Sequence, residues 1–301
     1  MRKDANKRWR ALKRETTTGY LMILPVIAYI TFFFFFPIAY TFSLSLQRYD
    51  LLTGDIKFVG LTNYFSILRD ERFINSLKVT LLFTSICVCT ELVIGMFLAL
   101  LLSQNIKGIK IFRTLLLMPL MITPVVYSLQ FRWMYADQYG VINNILRAIG
   151  IEGPLWIGDP NISLYSISIV MVWAATPFVM LVILAGIQSI PTTFYEAAQI
   201  DGASSWGRFR HVTLPLLKPA ILFVLLIRII DAFRMFDIPY VITGGGPAYS
   251  TELLSLYVYS MAFRFLDIGK ASSAAVIMLL ISLAMCITFI LLLERREFSR
   301  R

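Results

Sequence analysis

The chain has 301 residues, 58 % of them hydrophobic and only 15 % charged, with a formal net charge of +10. That composition departs from a water-soluble globular domain towards a protein whose solvent is the bilayer. It speaks against nucleic-acid binding, because Lys and Arg fall at the ends of apolar runs and in short loops, where membrane anchoring accounts for them.

Six stretches are long and apolar enough to cross a hydrocarbon core of roughly 30 Å, which takes about 20 helical residues. In chain order the predicted helices cover residues 20–46, 77–102, 112–134, 163–187, 216–240 and 273–293. A basic tail, residues 1–19, precedes them and a basic segment, residues 294–301, follows. The first stretch ends without a small-residue cleavage pattern and reads as a retained span, not a removed signal peptide. Glu91 alone interrupts the run from Val79 to Ile106 in the second, whereas the run from Pro219 to Ile238 in the fifth carries Arg228, Asp231, Arg234 and Asp237. A seventh apolar run, Leu253 to Phe263, is too short to span and suits an interfacial or re-entrant helix.

Basic residues concentrate on one side of this arrangement. They fill both terminal segments, recur as Lys107, Lys110 and Arg113 after the second helix, and return as Arg208, Arg210 and Lys218 before the fifth. Positive charge is retained on the cytoplasmic side. Both termini are therefore expected in the cytoplasm, in an all-α, multi-pass membrane protein with one six-helix domain over residues 20–293.

No phosphate-cradling G-x-x-x-x-G-K-[ST] is present: Gly269-Lys270-Ala271 lacks both the earlier Gly and the following hydroxyl. His211 is the only His, and no H-E-x-x-H or Cys/His cluster accompanies it, which removes the usual zinc chemistry. Cys87, Cys89 and Cys286 lie inside predicted spans without pairing spacing and read as packing residues. The chain is thus expected to bind no cofactor and no metal and not to be an enzyme. Thr243 to Pro247, TGGGP, reads as a tight turn, with or without a share in lining a solute path.

Residues 195–219, YEAAQIDGASSWGRFRHVTLPLLKP, form a polar island between apolar runs. Pro191 suits a first helical turn, and Thr193 with Glu196 has capping-box spacing. Asp201-Gly202 is a stop signal, and Ser204 or Ser205 offers a second start before Trp206. Two short helices joined by a glycine turn are expected. Ala197, Ala198, Gly202 and Ala203 would allow close approach, while Glu196, Asp201, Arg208 and Arg210 would orient a docked partner. An amphipathic loop lying on the membrane has the same pattern, and these features alone leave both readings open.

The island also matches EAA-x3-G-x9-I-x-LP, the signature of the membrane subunits of ATP-binding-cassette importers. Here it reads Glu196-Ala197-Ala198, Gly202, Val212 in place of the Ile, and Leu214-Pro215. The chain resembles that family over nearly its whole length. Within it the resemblance is to the carbohydrate-uptake branch, the first permease of maltose, glycerol-3-phosphate and trehalose importers. Its supports are FVGLTNYFSIL, FRTLLLMPLMITPVV, VWAATPFVMLVILAGIQSIP and DAFRMFDIPYVITGGGP, in the family's order. The large external domain and extra N-terminal spans of the maltose subunit have no counterpart. The resemblance implies a type I importer permease fold in which residues 191–215 couple to an ATPase subunit. The coupling residues would be Glu196, Ala197, Ala198, Asp201, Gly202, Ala203, Arg208, Leu214 and Pro215. It further implies a second permease, two ATPase subunits that hold ATP and magnesium, and an external sugar-binding protein as partners.

Ionisable groups inside a bilayer are costly and face a cavity or each other. Arg228, Asp231, Arg234 and Asp237 alternate in sign at three-residue steps and spiral along one broad side of the fifth helix. Structural pairing and solute contact both fit that pattern. Trp173 and Phe178 flank Pro177, where a kink would free backbone carbonyls. With Tyr127, Asp231, Arg234 and Asp237 they make the candidate substrate path, while Gln130 and Glu91 read as structural. Two rival readings are an importer permease for a non-sugar solute and an ion-coupled secondary transporter, although the chain lacks the size and visible repeat of most such carriers.

Overall fold

The computed structural model describes Tyr20 and residues 22–49, 54–104 and 107–298. The basic tail 1–19 and the last basic residues, 299–301, lie outside the described residues. In chain order, α1 (Met22–Ser45) leads into a hairpin of β1 (Gln47–Tyr49) and β2 (Ile56–Phe58), then α2 (Thr62–Leu68) and the long α3 (Glu71–Leu102). Next come α4 (Ile109–Leu117), α5 (Pro124–Met134), α6 (Val141–Ala148) and α7 (Ser163–Gln188). The island supplies α8 (Thr192–Ile200) and α9 (Ser205–Leu216), followed by α10 (Lys218–Phe233), α11 (Asp237–Ile242), α12 (Leu254–Tyr259) and α13 (Ile268–Phe298). The hairpin pairs Gln47 with Phe58 and Tyr49 with Ile56, a small antiparallel addition to an otherwise helical chain. The last helix runs five residues past its expected end at 293, to Phe298.

Among the described residues, α1, α3, α7 and α13 are unbroken helices long and apolar enough to cross a membrane. Two bent pairs raise the number to six. The third predicted span is not one helix: residues 109–121 and 124–134 meet at 97°. Thr123 precedes Pro124, whose ring disfavours helical geometry in the residue before it, and Thr123 is accordingly extended at ψ 147°. The fifth predicted span is broken twice, by a 64° bend before Lys218 and again between α10 and α11, where Arg234, Met235 and Phe236 leave the helix.

Contacts divide the described residues into two compact units, those up to Ile67 with Met261–Val276 and Leu68–Ser260 with those from Ile277 on. In the first, the Asn63 amide donates to the carbonyls of Ser45 and Gln47 at 2.9 Å each, and the Ser273 hydroxyl reaches the Ser45 carbonyl at 3.0 Å. Phe32 to Phe36 on α1 are all exposed, the outward apolar surface that lipid accepts.

The second unit is built on α3 crossing α7. Lipid tails are as apolar as Leu, so helices in a bilayer associate by close packing and hydrogen bonds. Gly95 provides that approach: a Cβ there would stand 2.6 Å from the Val179 side chain. Around it Ala99, Leu102, Met180, Ile183, Leu217 and Val224 form one buried cluster, and Phe83, Cys87, Ile167, Met171 and Ile238 belong to a second. Of the three thiols, Cys87 is buried, Cys286 half-buried and Cys89 exposed, and all are free.

Residues 253–260 are not a surface helix. Leu253, Leu254, Leu256, Tyr257 and Ser260 are buried, and the segment is sewn to the start of α3. The Leu254 amide donates to the Thr80 hydroxyl at 2.7 Å, Tyr257 donates to Asp70 at 2.7 Å, and Arg72 Nε donates to Glu252 at 2.7 Å. Burial first, and the bond to Asp70 second, push the Tyr257 phenol well above the ordinary tyrosine range. The TGGGP segment is a closed turn, with the Thr243 and Thr251 hydroxyls 2.6 Å apart and Thr251 donating to the Gly246 carbonyl at 2.7 Å.

Candidate functional site

A cavity of about 470 Å³ lies among the segment joining α4 to α5, α5 itself, α7, α10 and α11. Both broken spans meet on it. Pro119, Ile122 and Pro124 border it from the interruption of the third span, and Arg234, Met235 and Phe236 from the interruption of the fifth. Backbone that leaves a helix at membrane depth exposes polar groups that lipid cannot satisfy, and it is tolerated where it is buried in protein or lines a water-filled space. Some of these groups find side chains: the Ser255 hydroxyl donates to the Met235 carbonyl.

Of the candidate path residues, Tyr127, Phe178, Asp231, Arg234 and Asp237 all border this cavity. Trp173 does not. It stacks edge-on against Tyr127 and Phe131, with ring centroids 6.0 and 5.3 Å away, and lines a separate apolar groove with Tyr165 and Thr176. Nor does Pro177 break its helix, for α7 runs unbroken from Ser163 to Gln188.

Three of the four charges of the fifth span pair as their alternation suggests, Asp237 standing apart, and Arg228 has a further partner. Arg228 donates to Asp231 at 3.3 Å and Arg234 to the same carboxylate at 3.1 Å. The closest partner of Arg228 is Glu91 on α3, bound through Nε at 2.7 Å and through a terminal nitrogen at 3.3 Å. Glu91 is fully buried and Arg228 nearly so, while Asp231 is half-exposed and Arg234 is 66 % exposed. A lone carboxylate in the otherwise uncharged run from Val79 to Ile106 was the sequence signal for this partner, since a buried charge needs an opposite one.

The island folds as two helices around a glycine turn. Gly202 adopts φ +78°, the Ala203 amide bonds the Ala198 carbonyl at 2.9 Å and the Gly202 amide the Gln199 carbonyl at 3.1 Å, which is the Schellman arrangement. The second helix is capped by Ser204, whose hydroxyl accepts from the Gly207 amide at 3.2 Å. The expected capping box is absent: Pro191 is itself the N-cap residue of α8, and no side chain caps that end. Pro215 crowds the carbonyl four residues back and offers no N–H; just before it, Phe209 to Thr213 widen to a π-helical turn. Tyr195 and Thr213, hydroxyl to hydroxyl at 3.1 Å, fasten α8 to this stem.

Glu196, Ala197, Asp201, Gly202, Leu214 and Pro215 are exposed, and Ala198, Ala203 and Arg208 half-buried. Arg208 also braces the turn from within, reaching Gln199 at 3.5 Å and Ser205 at 3.3 Å. His211 bonds the Gly207 carbonyl at 3.0 Å. Three apolar residues that the motif does not include stand out of this polar loop: Phe194, Ile200 and Trp206, at 51, 87 and 69 % exposure. Their mark in the sequence was large apolar side chains inside an otherwise polar segment.

Residues 91–297 match the family described as binding-protein-dependent transport system inner membrane component. The chain belongs to this family. It is a membrane-spanning permease component of a transporter and not a catalytic subunit. The chain is similar to the trehalose/maltose transport system permease protein of Thermococcus litoralis, 38 % identical over 97 % of this chain and 95 % of that protein. It is also similar to the sulfoquinovosyl glycerol transport system permease protein of Agrobacterium fabrum, 37 % identical over 90 % and 88 %. Among solved structures, a bacterial ABC transporter involved in the import of the acidic polysaccharide alginate has a chain of the same fold. Its TM-score is 0.83 at 23 % identity, covering 96 % of this chain and 99 % of that one.

Proposed function

We propose that this permease forms half of the membrane path of an ATP-driven, binding-protein-dependent sugar importer. The observation that carries the proposal is the meeting of two broken spans on one polar cavity. Broken helices at mid-membrane are the usual solution for holding a polar solute in a bilayer. Tyr127, Phe178 and Phe236 supply aromatic faces, and Asp231, Arg234 and Asp237 supply hydrogen-bonding groups. Trp173 acts through Tyr127, which it buttresses.

The partners of this reading are a second permease, an external sugar-binding protein and two ATPase subunits. ATP and magnesium are held by the ATPase subunits and no cofactor by this chain. The α8–α9 loop, with both termini, faces the cytoplasm. Glu196, Ala197, Ala198, Asp201, Gly202, Ala203, Arg208, Leu214 and Pro215 belong to its coupling surface, to which Phe194, Ile200 and Trp206 add the apolar area that a cleft in a partner would bury. The test is reconstitution. The purified chain alone should show no ATP turnover in proteoliposomes, and sugar uptake should appear only with the ATPase, second permease and binding protein together. ATP hydrolysis by the lone chain, or uptake by it on an ion gradient, would overturn the reading.

A further inference from the structure

Resting on that reading of the cavity, we infer that it passes neutral solutes and turns away anionic ones, and that Glu91 and Asp237 set this preference. Two guanidinium groups, Arg228 and Arg234, and two carboxylates, Asp231 and Asp237, border the cavity. By themselves they balance. Glu91 stands behind the lining, fully buried, and takes Arg228 in the shortest ion pair of the cluster, 2.7 Å against 3.3 and 3.1 Å for the others. The positive charge of Arg228 is thereby neutralised by a carboxylate that does not border the cavity. Asp231, Arg234 and Asp237 remain, one net negative charge.

Arg234 is the exposed cation of this lining, and it already bonds Asp231. Among the described residues no cation lies within 4.0 Å of Asp237. An anionic solute would meet that carboxylate unscreened and would have to displace Asp231 from Arg234, in surroundings where like charges repel more strongly than in water. A sugar hydroxyl meets the same two carboxylates as a donor and gains a charge-assisted hydrogen bond. The same groups that bind a neutral polyol thus repel its acidic derivative.

The test reads the cavity's potential at one introduced thiol, Ile227→Cys, which borders the cavity beside Arg228. It uses the assembled transporter with Cys87, Cys89 and Cys286 replaced by Ala. Modification rates are measured for methanethiosulfonate reagents carrying a trimethylammonium, a sulfonate or no charge, each divided by its rate with a free thiol in solution. The cationic reagent is expected to exceed the anionic one by about tenfold, as focusing in a low-dielectric cleft implies. Asp237→Asn should reduce that ratio, and so should Glu91→Gln, in which an acceptor for Arg228 remains but its neutralisation is lost. Equal rates for the two charged reagents would overturn the charge preference and leave the solute path standing. A thiol closed to all three reagents would remove the path itself. A ratio untouched by Asp237→Asn, a change at a half-buried residue bordering the cavity, would overturn the assignment to Asp237 even if Glu91→Gln fails to assemble.

Discussion

Arg228 on α10 and Glu91 on α3 meet in a two-point ion pair, 2.7 and 3.3 Å, across 137 residues of chain. Removing one member strands the other in a dry interior, which destabilises by roughly 3–5 kcal/mol, whereas replacing both by apolar groups is often neutral. Arg228→Met and Glu91→Leu should each lower the yield and thermal midpoint of the detergent-purified protein, and the double variant should recover both. A double variant no better than either single one would show that the pair does not hold the spans together.

On the island, Gly202 separates backbone strain from steric bulk. A Cβ there would meet nothing within 4 Å, so the constraint is its φ of +78° alone. A β-branched residue in left-handed geometry costs roughly 1–2 kcal/mol. Gly202→Val is expected to loosen the α8–α9 turn and weaken co-purification of the ATPase subunit while leaving membrane insertion unchanged. Ile200→Asp and Glu196→Lys should weaken it too, without any backbone strain, by opposing the contact itself. Wild-type co-purification and transport in all three would make the island an ordinary loop.

Local chemistry made the elements legible in sequence. Apolar run length located the spans, Asp201-Gly202 the turn and Ser204 or Ser205 the second helix start, because each depends on residues close in the chain. What lay beyond such reading depended on tertiary context. Proline spacing around residues 119–124 gave a reason for a break but no angle, and the same residue type at Pro177 left α7 unbroken. The cavity was half legible: alternation of charge at 228, 231, 234 and 237 pointed to it, and Tyr127 and Phe178, candidates from the sequence, border it, while Pro119 and the partner Glu91 come from helices whose registry no local pattern encodes. Trp173 shows the converse. An aromatic beside a proline looked like a wall, yet helix rotation turns it to the neighbouring groove.

The docked segment 253–260 gives a pH-dependent prediction. The Tyr257 phenol is protonated and bonded to Asp70, with its pKa raised in the folded protein. Stability from this group is fully present below the unfolded tyrosine value of about 10 and is lost as pH rises from there through the folded value. Tyr257→Phe should lower the thermal midpoint at neutral pH, through loss of a bond to a charged group worth about 1.5–3 kcal/mol. It should also lessen the further fall expected of the wild type above pH 10. An unchanged midpoint at neutral pH would mean that the Asp70 bond contributes nothing net.

Asp231 is shared by Arg228 and Arg234 while bordering the cavity, so its structural and solute-binding roles predict different outcomes. If it serves only to neutralise the two guanidinium groups, Asp231→Asn should reduce assembly, because Arg234 then loses its carboxylate partner. Asp231→Leu/Arg234→Leu should restore assembly together with uptake. If it binds solute, the double variant should assemble at wild-type yield, since Glu91 still neutralises Arg228, but should transport poorly, because Asp237 alone is left of the three solute-facing charged groups. The solute-binding outcome is expected, with uptake reduced by about tenfold or more, the loss that two hydrogen bonds to charged groups imply. Arg234→Gln should fall between, since an amide still donates. Trp173→Ala should reduce uptake less than the double variant, because it withdraws support from Tyr127 without removing a polar group from the cavity. Measuring complex yield by size exclusion beside uptake of labelled sugar in the same preparations resolves these cases. Normal uptake in the double variant would exclude Asp231 and Arg234 from the path and leave Asp237 and the aromatic wall to carry it.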